Sequence, residues 1–122
     1  MPVMMKKNFG APDETRTPDK TRVEVVSLGE AKMARFVLQP GWRWSECIKP
    51  LTGTDSCQAR HVGAVVSGGM HLTHADGAEL DLGPRDAYVI EPGHDAWVTG
   101  EEPFVAYEFD PETAGSYGTR AR

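Results

Sequence analysis

Turn residues interrupt this chain so often that no long helix fits between them. Its 122 residues include 13 glycines and 9 prolines, spread along the chain rather than gathered in a linker. Between them lie short runs rich in β-branched and aromatic residues, which suit a pleated strand. Val23-Glu24-Val25-Val26 is one such run; residues 34–39 are another, closed by Pro40-Gly41. Trp42-Arg43-Trp44-Ser45 alternates so that a strand there would turn both tryptophans to one face. Residues 61–67 are rich in valine and end at Gly68-Gly69, residues 70–75 meet the hairpin signal Asp76-Gly77, and residues 78–82 return from it. Residues 86–91 lead into Pro92-Gly93, and residues 97–99 and 104–109 complete the set. Only residues 29–35 could pass for a helical turn. Many short strands at this spacing predict an all-β domain, a sandwich or a closed barrel with few exposed strand edges.

The length allows one such domain and not two. Residues 1–20 carry Pro2, Pro12 and Pro18, many charges and no hydrophobic period, and read as a flexible N-terminal arm. Its Val3, Met4, Met5 and Phe9 have no core of their own and could dock on the domain or on a second subunit, so a homodimer is expected. Residues 111–122 read as a polar tail, which leaves residues 21–110 as the domain. Eighteen acidic residues against 13 basic ones give a net charge of -5, the wrong sign for a nucleic-acid partner. No apolar run reaches the roughly 18 residues of a membrane span, and Met1 to Lys7 lack the apolar stretch of a secretory signal. No membrane partner and a cytoplasmic location are therefore expected. The two cysteines, Cys47 and Cys57, make no disulfide framework and read as free thiols or metal ligands.

Residues 83–94, Gly-Pro-Arg-Asp-Ala-Tyr-Val-Ile-Glu-Pro-Gly-His, resemble the second motif of the cupin superfamily, a glycine-aspartate strand running into a proline-glycine turn. Gly68, after Ala64-Val65-Val66-Ser67, resembles the closing glycine of the first motif. The resemblance spans about residues 30–110 and implies a single-domain cupin-type jelly-roll β-barrel. It also implies a metal site of three histidines and one glutamate, and here the chain departs from the pattern. Counted back from Gly68, His61 stands at the family's glutamate position, while Asp55 and Cys57 stand at the two histidine positions. The last histidine position falls on Ala96, and His94 stands two residues earlier.

Asp55, Cys57 and His61 have the parity of one strand face, and His94 follows the proline-glycine turn, so Cys57, His61 and His94 could converge as soft and borderline metal ligands. The plainer reading makes Cys57 a small buried hydrophobe and His61 a hydrogen-bonded core histidine. His61 and His94 are also the candidate catalytic groups, since imidazoles move protons near neutral pH. Asp95 has the opposite strand parity to His94 and is poorly placed to orient it. Trp42, Trp44, Glu46 and Tyr88 are the candidates for lining a substrate pocket. His71 and His74 flank the Asp76-Gly77 hairpin with opposite parity and read as surface residues. The expected function is binding of a small organic molecule in the barrel. It takes one of two forms: a metal-dependent enzyme with one divalent transition metal (zinc, iron, nickel or manganese), or a metal-free, non-catalytic binding or sensory module.

Overall fold

The computed structural model describes residues 3–109. Among these, nine strands form: β1 (Glu14–Arg16), β2 (Thr21–Leu28), β3 (Ala31–Leu38), β4 (His61–Ser67), β5 (Gly69–His74), β6 (Glu79–Leu82), β7 (Ala87–Ile90), β8 (His94–Thr99) and β9 (Phe104–Glu108). They pair antiparallel in two sheets, one of six strands in the order β1-β2-β3-β9-β4-β7 and one of three in the order β6-β5-β8. The architecture is all-β and of jelly-roll type, with one core between the sheets.

Alternation decides what enters that core. His61, Gly63 and Val65 of β4, His94, Ala96 and Val98 of β8, and Phe104, Ala106 and Glu108 of β9 are buried, and the residues between them are less so. Most of these positions are apolar and join Phe36, Leu38, Trp42, Trp44, Met70 and Leu72 in one cluster. Three are not: His61, His94 and Glu108 are polar residues at inward positions. Groups of this kind stay buried only with partners.

Gly68 joins β4 to β5 with φ +80°, and a Cβ there would stand 2.3 Å from the Pro103 carbonyl oxygen. The closing glycine of the first motif is thus set by a left-handed backbone and by the close pass of the β9 approach.

Two expectations are corrected. Residues 42–45 are not a strand: after the Pro40-Gly41 turn the chain enters a single helical turn, α1 (Trp44–Cys47), and then a 3-10 turn, Lys49–Leu51. Residues 29–35, the segment that could pass for a helix, are a turn at Gly29 and the start of β3. Part of the N-terminal segment is held against the domain. β1 pairs with β2, the Asp13 carboxylate accepts from the Ser27 amide at 2.7 Å, and the Phe9 ring lies 5.2 Å from that of Tyr107. Val3 and Met4 remain exposed. The tail at 111–122 lies outside the described residues. Among the described residues no helix is long and apolar enough to cross a membrane.

Candidate functional site

The site is built on β4 and its two neighbours. Gly63 pairs with Tyr88 of β7 on one side and with Glu108 of β9 on the other, so the three residues form one row across the sheet. Side chains in such a row share a face. Gly63 has none, and over it the Tyr88 hydroxyl donates to Glu108 Oε2 at 2.7 Å. A Cβ at 63 would stand 2.8 Å from the Tyr88 oxygen, 2.9 Å from Glu108 Cγ and 2.3 Å from the Tyr107 carbonyl oxygen. Only glycine leaves room for that bond. His61, two residues before Gly63, lies on the same face and diagonal to Glu108, and its Nδ1–H donates to Glu108 Oε1 at 2.7 Å.

A carboxylate can only accept, so this bond fixes the His61 tautomer and turns Nε2 away from Glu108. Cys57 Sγ lies 3.6 Å from that Nε2. The same logic fixes His94. Its Nδ1–H donates to the Glu91 carbonyl at 2.8 Å, leaving Nε2 as the atom it can offer, and its ring centroid is 5.1 Å from that of His61. One ligand atom each from Cys57, His61 and His94 lies within 4.8 Å of the others, and all three residues are buried.

Burial opposes charge on Cys57, but the His61 and His94 imidazoles outweigh it and bring the thiol down to about 6. Burial likewise works against a charged His61, and the Glu108 carboxylate, joined by Cys57, holds it up at about 10. Both shifts favour the charged pair, a thiolate beside an imidazolium. A low-pKa thiolate is the form of cysteine that attacks electrophiles and binds metals.

Cys57 reaches this position by another route than strand parity. It belongs to no strand: its amide donates to the His94 carbonyl at 2.8 Å and its carbonyl accepts from the Gly93 amide at 2.7 Å, a single bridge alongside β8. Asp55, expected on the same face, is fully exposed in the loop and stays out of the site. Asp95, as its parity predicts, turns the other way and accepts from the Ser45 amide at 3.2 Å.

Trp42, Trp44 and Tyr88 line an interior cavity together with His61, His94 and Glu108. Its volume is about 30 Å³, enough for one or two water-sized groups. Trp42 and Trp44 come to it through the turn and α1 rather than along a strand. Glu46 does not line it: on the helical turn its side chain is exposed, because residues two apart on a helix do not share a face as they do on a strand. A wider cleft of about 300 Å³ runs outside, lined by residues of β5 to β8, and shares Leu72, Ile90 and His94 with the cavity. His71 and His74 stay outside the chamber, His71 between the carboxylates of Asp81 and Glu79 at 2.6 and 2.9 Å.

Sequence reasoning missed Glu108. The signal was present, since 104–109 alternates with Phe104 and Ala106 inward, and the next inward position is a carboxylate. Ala96, at the family's last histidine position, faces the interior with a methyl group and offers no ligand.

No protein-family model matches the sequence, nor does any curated protein. Solved structures do match. A cupin superfamily protein from Desulfitobacterium hafniense is 13% identical with a TM-score of 0.51, covering 76% of this chain and 78% of that one. A double-stranded β-helix protein from Klebsiella pneumoniae is 22% identical with a TM-score of 0.52, covering 80% and 82%. The fold is that of the cupins. An oxalate decarboxylase from Lactobacillus farciminis, solved with formate, carries the same fold within a longer chain: 12% identity and a TM-score of 0.58, over 87% of this chain and 33% of that one. The cupin fold is thus shared at low sequence identity.

Proposed function

We propose that this chain binds one divalent transition metal through Cys57, His61 and His94 and acts there, as an enzyme, on a small organic molecule that approaches through the outer cleft. The observation that carries the reading is the pair of anchored imidazoles. Both Nδ1–H groups are held by fixed acceptors, a carboxylate and a carbonyl, which is how metal-binding histidines are oriented. Bond lengths of about 2.3 Å to sulfur and 2.05 Å to nitrogen put neighbouring donors of a tetrahedral zinc site about 3.6 Å apart. Cys57 and His61 already have that spacing. Charge supports it too. Thiolate, imidazolium and the Glu108 carboxylate leave one net negative charge in the core, and a divalent ion in place of the imidazolium proton brings the sum to zero.

A sulfur and two imidazole nitrogens favour zinc, then iron or nickel, over manganese. The metal would supply Lewis acidity. The chain's own residues orient the ligands, with Glu108 and Tyr88 behind His61 and the Glu91 carbonyl behind His94. One structural neighbour, the oxalate decarboxylase, is an enzyme of this fold. Protein purified without an affinity tag should carry about one equivalent of metal, lost in Cys57→Ala and His61→Ala; a metal-free protein that takes up none on reconstitution overturns the reading and favours the binding module.

The proposal includes a homodimer. Val3, Met4, Val66, Leu80 and Val89 are exposed apolar residues, and Val89 lies on β7, a sheet edge. Light scattering should give twice the chain mass, and a monomer at high micromolar concentration ends this part of the proposal. A reducing compartment such as the cytoplasm suits a site that depends on a free thiolate.

A further inference from the structure

The three tryptophans of the chain do different things with their indole N–H groups. Trp42 donates to the Thr21 hydroxyl at 3.0 Å. Trp97 is half-buried on the outer face, under the Arg43 guanidinium at 4.2 Å from its ring centroid. Trp44 is 1% exposed and lines the interior cavity, yet its Nε1–H has no acceptor among the described residues. It is the one buried side-chain nitrogen or oxygen there that lacks a partner.

An indole N–H is a donor and cannot accept. Buried donors without acceptors are rare and unfavourable, so one carried by a residue that lines a cavity marks where an acceptor atom belongs. The cavity holds one or two water-sized groups, which suits a single functional group and not a whole substrate. Its other walls are apolar apart from His61, His94, Tyr88 and Glu108, and Tyr88 and Glu108 are already bonded to each other.

We propose that Trp44 Nε1–H is the hydrogen-bond donor that positions the ligand, taking a carboxylate oxygen of a small organic acid inside the chamber that His61 and His94 border. The inference rests on the reading of the barrel interior as a ligand site and names the group by which the ligand is held. Trp44 is a positioning residue, brought to the chamber by the short helix that follows the Pro40-Gly41 turn.

The test uses formate, the smallest carboxylate, and methylammonium, a small cation that cannot accept a hydrogen bond. The indole N–H resonances of the full chain, labelled with nitrogen-15 and assigned through Trp44→Phe, are followed during titration. The titration is run on protein with zinc and on protein without it. Formate should move the Trp44 resonance downfield with saturation and leave the Trp42 resonance in place, and methylammonium should move neither. Trp44→Phe should weaken formate binding at least about tenfold with no change in metal content. If the Trp44 resonance stays still under formate in both forms, or answers methylammonium equally, the inference is wrong whatever the metal content. If formate moves it in protein that takes up no zinc, the inference stands and the metal reading fails. The wild-type titration decides the matter even if the variant does not fold.

Discussion

Cys47 and Cys57 are both buried, both free and ten residues apart in one loop region, yet the fold prepares them for opposite chemistry. Cys47 sits on α1 with its sulfur 3.7 Å from the Asp19 carboxylate; burial first and that negative charge second push its thiol up. Cys57 suffers more from burial, but two imidazoles face it and bring it down to about 6. Burial alone therefore says little about a thiol. The sign of the nearest charge decides, and at Cys57 that sign is set by Glu108, which lies one strand further away and never touches the sulfur.

The strongest way to break the contrast is His61→Ala. It leaves Glu108 buried with only the Tyr88 hydroxyl and takes the facing charge from Cys57. Breaking a buried pair in this way should cost about 3–5 kcal/mol in chemical denaturation. The Cys57 thiol should then titrate upward, toward the behaviour of Cys47.

Gly63→Ala should act next, at about 1–3 kcal/mol, because its Cβ cannot coexist with the Tyr88–Glu108 bond and the Tyr107 carbonyl. A loss of stability accompanied by a rise in the Cys57 pKa is the expected result. Destabilisation with the thiol unmoved would show that the row through Gly63 does not support the site.

The titration of the metal-free protein sharpens the contrast without any substitution. Thiolate absorbance should grow by one group with a midpoint near pH 6, absent in Cys57→Ser, and Cys47 should ionise only above its ordinary range. The pair also shapes stability against pH. His61 is raised from 6.5 to about 10, so its contribution is complete below 6.5 and lost as pH rises toward 10. Cys57 is lowered from 9.0 to about 6, so its contribution is complete above 9.0 and lost as pH falls toward 6. Between 6.5 and 9.0 the folded and unfolded pair each hold one proton, and the joint contribution should be level there and decline on both sides. Denaturation midpoints of wild type and Cys57→Ser across that range check it.

The smallest effect belongs to His71→Ala. His71 also lies between carboxylates, but at the surface, where solvent screens them. Neither the denaturation midpoint nor the metal content should change; loss of metal there would place the site on the wrong side of the sheet.

The strands were legible because apolar and β-branched residues alternate between clear turns, and β4, read as residues 61–67, is His61–Ser67 in the structure. The same rule misread Trp42 to Ser45. Two tryptophans two apart look like a strand face, but here one is held by the Thr21 hydroxyl and the other by a helical turn. The meeting of Cys57 and His61 was legible only in outcome: parity within one strand suggested it, and a loop bridge to His94 produces it. Glu108 could have been read as a carboxylate at an inward position. Its partners could not, because they come from strands joined only by long-range pairing.

The single bridge at Cys57 leaves the three corners of the site unequally held. Two corners of the site, His61 and His94, are locked into ladders, and the third travels with a loop held to β8 by two amide hydrogen bonds. Opening one rung is a local event, far easier than parting a sheet. A bond shared between Cys57 and the histidines would work as a latch on that loop, coupling what the three residues hold to how often that rung opens. Hydrogen exchange at the Cys57 and Gly93 amides would then serve as a clock for that opening.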